Sequence, residues 1–240
     1  MQLEKYHTEM AKENLKKEEE RLESIETTLD SAELFIEKNR KTIVIVIAAL
    51  VIVVLAVFGY KKFIQEPREE KAQAAVFRAE AMFEKDDFAT ALNGNGNDVV
   101  GFLDIISDYS GTKTANLAKY YAGICFLNTG DFNNAIKYLG EFKGKDKMVK
   151  PLAIGAMGDA NLELGNVAEA AKCYENAANA SKNSFTAPMM LVKAAYTYEM
   201  AGNYAKAVEM YKAIKADYPN STEARDIDKY ITAAETKLGK

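Results

Sequence analysis

Between Thr42 and Tyr60 the chain carries no charged side chain; the run reads TIVIVIAALVIVVLAVFGY. As a helix, these 19 residues reach about 28 Å at 1.5 Å per residue, close to the hydrocarbon thickness of a bilayer. Strands rarely exceed about eight residues, so the β-branched run predicts a membrane-spanning helix. On its N-terminal side Leu15, Leu22, Leu29 and Ile36 recur every seven residues. Placed at a positions, they put Glu18, Ile25 and Ala32 at d, which is an amphipathic helix with an imperfect seam. Neither Gly nor Pro interrupts residues 1–58, so one long helix is expected there.

Beyond the apolar run the pattern becomes periodic. The triplets Gly130-Asp131-Phe132, Gly165-Asn166-Val167 and Gly202-Asn203-Tyr204 lie 35 and then 37 residues apart. Each is followed at fixed spacing by an alanine (Ala135, Ala170, Ala207) and then by a large apolar side chain (Leu139, Tyr174, Tyr211). A period in the mid-thirties predicts stacked helical hairpins. The first helix of each hairpin is expected to run from Asn116, Pro151 or Pro188 to just before the glycine, since proline suits a helix's first turn. Small residues stand at the eighth place (Gly123, Gly158, Ala195) and the twentieth, where paired helices must approach closely. Ala79, Phe88 and Ala91 fit the same register, with Asp86 in place of the glycine. Residues 70–115 therefore read as a degenerate unit, broken by a plain turn at Asn93–Asn97 and resuming as helix over Val99–Ser107. A final helix capped by Ser221 or Thr222 places Ile227, Tyr230, Ile231 and Ala234 on one face, as a terminal cap requires.

The small, aromatic and glycine positions over residues 116–219 closely resemble the tetratricopeptide repeat, with Pro219 matching its closing proline. They depart from it in lacking a tryptophan at the fourth position and in having Asn161 at the eleventh. The resemblance implies a concave face lined by the second, fifth, ninth, twelfth and thirteenth residues of each first helix. Candidate peptide-binding residues on it are Glu80, Glu84, Tyr120, Asn128, Asp159, Glu163, Tyr196 and Glu199. Five of the 20 lining positions are acidic and none is Lys or Arg, which argues against a carboxylate clamp. Such a groove suits basic or apolar extended segments; the alternative is that some of these side chains only pack between repeats.

Charge and composition narrow the chemistry. The net charge of −4 divides into −3 for residues 1–41 (8 Lys/Arg, 11 Asp/Glu) and −1 for the remainder (23 and 24). Neither part has the basic stripe of a nucleic-acid binder. His7 is the single histidine and lies in the charged N-terminal segment, so neither a Cys-His nucleophile nor a histidine metal site is expected. No phosphate-binding or dinucleotide fingerprint occurs. Cys125 and Cys173 fall in helices of different repeats and read as small buried apolar residues. No cofactor, metal or catalytic residue is expected, and the chain reads as a non-enzyme.

The expected architecture is all-α. It comprises a charged amphipathic helix (1–41), an uncleaved transmembrane anchor (42–60), and a linker helix with the degenerate repeat (61–115). A three-unit repeat region (116–221) and a capping helix (222–240) follow. Residues 11–36 offer a surface for homo-oligomerisation, a partner helix or the membrane plane, or else a solvated charged helix. The arrangement resembles membrane-anchored tetratricopeptide proteins related to the bacterial ancillary Sec translocon subunit. That resemblance implies an inner-membrane protein with periplasmic repeats, assisting secreted chains at the translocon beside a periplasmic chaperone. Three basic residues flank the span on one side and four on the other, so charge leaves the orientation open. The alternatives are a scaffold for an envelope complex and a cytosol-facing receptor.

Overall fold

A computed structural model of the chain describes Glu18, Arg21 and residues 35–239. Leu15, Leu22, Leu29, Ile25, Ala32 and His7 lie outside the described residues, and with them the heptad seam and most of the 11–36 surface. The described chain separates into two compact units, divided between Phe63 and Ile64. It is helical wherever it is regular, with no strand among the described residues.

The first unit contains α1 (residues 35–60), which opens the helical run Phe35–Phe83. Its most apolar 18-residue window has a mean hydropathy of 3.2 and none of it is buried. Val44 to Tyr60 hold out Val, Ile, Leu and Phe side chains on every side of the helix. An all-round apolar helix has no face for solvent, and this one is long and apolar enough to cross a membrane. A π-helical stretch, Lys61–Gln65, follows.

The second unit is a run of hairpins. The helices are α2 (Glu66–Phe83), α3 (Phe88–Asn93), α4 (Phe102–Asp108), α5 (Lys113–Asn128) and α6 (Phe132–Glu141). They continue with α7 (Val149–Glu163), α8 (Val167–Ser181), α9 (Thr186–Met200), α10 (Tyr204–Asp217) and α11 (Ile227–Leu238). The pairs α5/α6, α7/α8 and α9/α10 are the three full hairpins, and each second helix also packs on the next first helix. The first helices α2, α5, α7 and α9 touch their neighbours in turn, and so form one common face.

Each repeated triplet ends one helix, and two of the three also cap the next with a side chain. Its glycine ends the first helix in the left-handed region, at φ 84° for Gly130, 77° for Gly165 and 72° for Gly202. The glycine amide then reaches back three residues and the next amide five, as in Gly202 N–H to Glu199 O (2.9 Å) and Asn203 N–H to Tyr198 O (2.8 Å). This paired pattern satisfies carbonyls that the helix end would leave orphaned. In the first and third the residue after the glycine caps the second helix: Asp131 accepts from Asn134 N–H and Asn203 from Lys206 N–H, both at 3.2 Å; Asn166 instead donates to Asn161 Oδ1 at 3.4 Å. Asp86 adopts the same left-handed geometry at φ 59°, and Asp87 caps α3.

Small residues at the eighth place are explained by what faces them. A Cβ on Gly123 would lie 2.5 Å from Leu139 Cγ, and one on Gly158 would lie 2.7 Å from Tyr174 Cε1. Leu139, Tyr174 and Tyr211 are themselves buried, each against the first helix of its own hairpin.

Several expected boundaries move. The first helices begin before Asn116, Pro151 and Pro188, so both prolines sit at the third helical position instead of the first. Asp146 and Asn183 provide the caps: Asp146 Oδ1 accepts from Val149 N–H (2.9 Å) and Asn183 Oδ1 from Thr186 N–H (2.7 Å). The degenerate unit resumes at Phe102 and not Val99. Its Asn/Gly loop is tied by Asn95 Oδ1, which accepts from the amides of Asn97, Asp98 and Val99 at 3.0–3.1 Å. Gly101 is needed there because a Cβ would fall 2.4 Å from Leu92 O. The last helix starts at Ile227, whereas Ser221 Oγ, accepting from Ala224 N–H at 3.2 Å, caps only a turn.

Candidate functional site

The eight candidate residues all lie on first helices or their C-terminal ends, in α2, α5, α7 and α9. The structure divides them by what they already touch. Asp159 accepts a hydrogen bond from Tyr174 Oη at 2.6 Å and an ion pair from Lys193 Nζ at 2.7 Å. Glu199 does the same with Tyr211 Oη and Lys237 Nζ, both at 2.9 Å. The lysine in each case also lies over a tyrosine ring: Lys193 over Tyr174 (5.3 Å) and Lys237 over Tyr204 (5.4 Å). Glu80 is half-buried; burial raises its carboxyl, opposed by a hydrogen bond from Tyr121. These three acids are thus bridges between successive first helices: α2 to α5, α7 to α9, and α9 to α11.

The remaining five are differently placed. Tyr120 is half-buried, its ring 5.8 Å from that of Phe142. Asn128 turns back on its own helix, donating to Ile124 O at 2.9 Å. Glu84 and Glu163 are exposed. Tyr196 is 43 % exposed, and its ring stands edge-on to Tyr211 and Tyr230 at 6.1 and 5.8 Å. A hydrogen bond with Tyr230, aided by burial, pushes the Tyr196 phenol up to about 12. Among the described residues the cross-helix partners of these side chains lie outside the set of eight: Tyr121, Tyr174, Lys193, Tyr211, Tyr230 and Lys237.

A face with no base at its lining positions is therefore not a face without bases. Lys193 enters from the sixth position of its repeat, counted from Pro188, and Lys237 from α11. The signal that would have revealed them is the period itself. Lys193 and Tyr230 are 37 residues apart, as are Asp159 and Tyr196, so α11 continues the register of α9. At three junctions the sixth position of one unit meets the ninth of the one before: Tyr121 with Glu80, Lys193 with Asp159, Tyr230 with Tyr196.

The chemistry available is recognition. Burial raises both thiols, Cys125 to about 12, so neither is a ready nucleophile. Tyr174, Tyr198 and Tyr211 are pushed far above the ordinary phenol range by burial and by their bonds to Asp159, Glu175 and Glu199. Among the described residues no group of His, Cys, Asp and Glu is arranged to hold a metal ion.

Comparison with protein families agrees with this geometry. Residues 117–146 and 190–221 match the model described as Tetratricopeptide repeat. No curated protein gave a match. The intervening hairpin, α7/α8, repeats the same helix end, with Gly165 N–H to Leu162 O at 2.9 Å and Asn166 N–H to Asn161 O at 2.8 Å. After one long apolar helix, the chain carries tetratricopeptide repeats, a helical fold for binding proteins.

Proposed function

We propose that the chain is a membrane-anchored protein-interaction module that assists secreted or envelope proteins at the inner-membrane translocon, its repeats facing the periplasm. The observation that carries anchoring is α1, whose apolar side chains are exposed all round over about the length a bilayer's hydrocarbon core requires. The repeats support protein binding, and the resemblance in overall architecture supports the translocon setting. Extended peptide segments dock along the first-helix face, where Glu84, Asn128, Glu163 and Tyr196 remain accessible.

Two measurements test this. Protease added to spheroplasts should digest the repeats; full protection would place them in the cytosol and overturn the periplasmic orientation. Photo-crosslinking from position 163 in intact membranes should recover translocon subunits and unfolded secretory chains. Recovery of one folded partner in fixed stoichiometry would instead make the chain an assembly scaffold.

A further inference from the structure

We propose that the α7/α9 part of the first-helix face recognises a two-point signal in an extended peptide. A Lys or Arg sits against Glu163, and an apolar side chain about three residues away sits against Tyr196 and Met200. This rests on peptide binding at the same face and names what that face selects.

Charge is the first argument. Three of the five acids on the face are already held, Glu80 by Tyr121, Asp159 by Lys193 and Glu199 by Lys237. Glu163 is exposed and has no ion-pair partner within 4.0 Å among the described residues. Around Met200 the local acid is neutralised by Lys237, whereas at Glu163 a negative charge remains available. The two neighbouring compartments therefore differ: one is charged, the other is neutral and apolar.

Register is the second argument. Asp159 of α7 meets Lys193 of α9 directly. One turn further along both helices, Glu163 comes opposite Tyr196 and Thr197, with Met200 at the following turn. Met200 is 66 % exposed, far more than the buried residues of α9. Its thioether adapts to aliphatic and aromatic partners alike. The Tyr196 ring is held in place by Tyr211 and Tyr230, so this apolar surface exists before a ligand arrives. Adjacent helix axes lie about 8–10 Å apart and an extended chain advances about 3.3 Å per residue, which sets the spacing at about three residues.

The test uses the full chain in detergent micelles and two fluorescent peptides of equal composition in a Ser background. One has Lys and Phe three residues apart; the other has them adjacent. The spaced peptide should bind about fivefold more tightly, the scale of one exposed ion pair. Glu163→Lys should abolish that preference while leaving a lysine-free Phe peptide unchanged, and an Asp-for-Lys peptide should recover it. Met200→Ser should weaken every Phe peptide. If Glu163→Lys leaves the ratio unchanged but Met200→Ser still weakens binding, two-point recognition falls and groove binding stands. If no peptide binds saturably, both fall.

Discussion

The first and last units of the repeat region obey one backbone rule, and both meet the next helix through an aromatic cluster and an acid bonded to a tyrosine, but only the last adds an ion pair. In the first, Asp86 takes the left-handed turn, and the second helix is broken into α3 and α4 around the Asn95 loop. Its junction with α5 is aromatic: Phe102 stacks on Tyr121 at 5.1 Å, with Phe83 edge-on to both. In the last, Gly202 makes the turn, α10 is continuous, and the junction with α11 joins the Tyr211–Tyr230 stack (5.8 Å) to Glu199 and its ion pair with Lys237. The backbone turn is therefore the invariant of the repeat, while the side chains between units are free to vary. A hairpin fold needs the turn locally, but stacking needs only that some complementary pair fills the gap.

The comparison breaks hardest at Tyr211, which is fully buried. Tyr211→Ala should destabilise the last unit by about 3–5 kcal/mol, the usual range for a buried aromatic. Hydrogen exchange should accelerate in α9–α11 and stay slow in α2–α5, because each unit rests mainly on its neighbours. Uniform acceleration would show that the two ends form one cooperative block.

A smaller effect is expected at Gly158. Its Cβ would press on the Tyr174 ring at 2.7–3.0 Å. Gly158→Ala should lose about 1–2 kcal/mol in chemical denaturation, overpacking outweighing the gain in helix propensity. Ala195 stands at the equivalent place, buried in the core with Tyr211, so Ala195→Gly should not stabilise the last unit.

Alkali acts on both ends through tyrosines, Tyr121 at the first junction included, and most strongly on the later hairpins, where the phenols are pushed furthest. Tyr174, Tyr196, Tyr198 and Tyr211 all have raised phenol pKa values. A raised folded-state value leaves stability intact below the ordinary tyrosine value of about 10 and removes it as pH climbs above that. Helical circular dichroism should therefore fall between pH 10 and the region of 12 where Tyr196 titrates, in step with tyrosinate absorbance. Tyr211→Phe should flatten that fall. A slope unchanged by this variant would remove the phenol–carboxylate bond as its cause.

The smallest effect lies at the turn. Asp86→Gly should stabilise the first unit by about 0.5–1 kcal/mol, since glycine enters the left-handed region without the Cβ penalty. Destabilisation in thermal melts would mean that the Asp86 side chain contributes contacts its backbone strain conceals.

The helical class, the apolar run and the repeat register were legible along the chain because each rests on short-range rules. A 19-residue charge-free stretch has few folded uses, and a glycine followed by Asp or Asn marks a helix end and the next helix start together. Asp86 was recognisable as a stand-in for glycine from register alone. The helix starts were less legible: prolines are compatible with any place in the first turn, while the capping atoms belong to Asp146 and Asn183. Ser221 and Thr222 offered a plausible cap, yet the chain delays α11 until Ile227 can be buried.

The acidic character of the first-helix face shows where such rules stop. Glu80, Glu84, Asp159, Glu163 and Glu199 are all plain in the sequence, and nothing local distinguishes them. Packing decides that Lys193 and Tyr174 converge on Asp159, that Lys237 and Tyr211 converge on Glu199, and that Glu163 is left facing solvent. The backbone turns follow from steric limits on φ within a few residues. The state of the three held carboxylates depends on side chains 12 to 41 residues away, which meet them only once the hairpins have stacked.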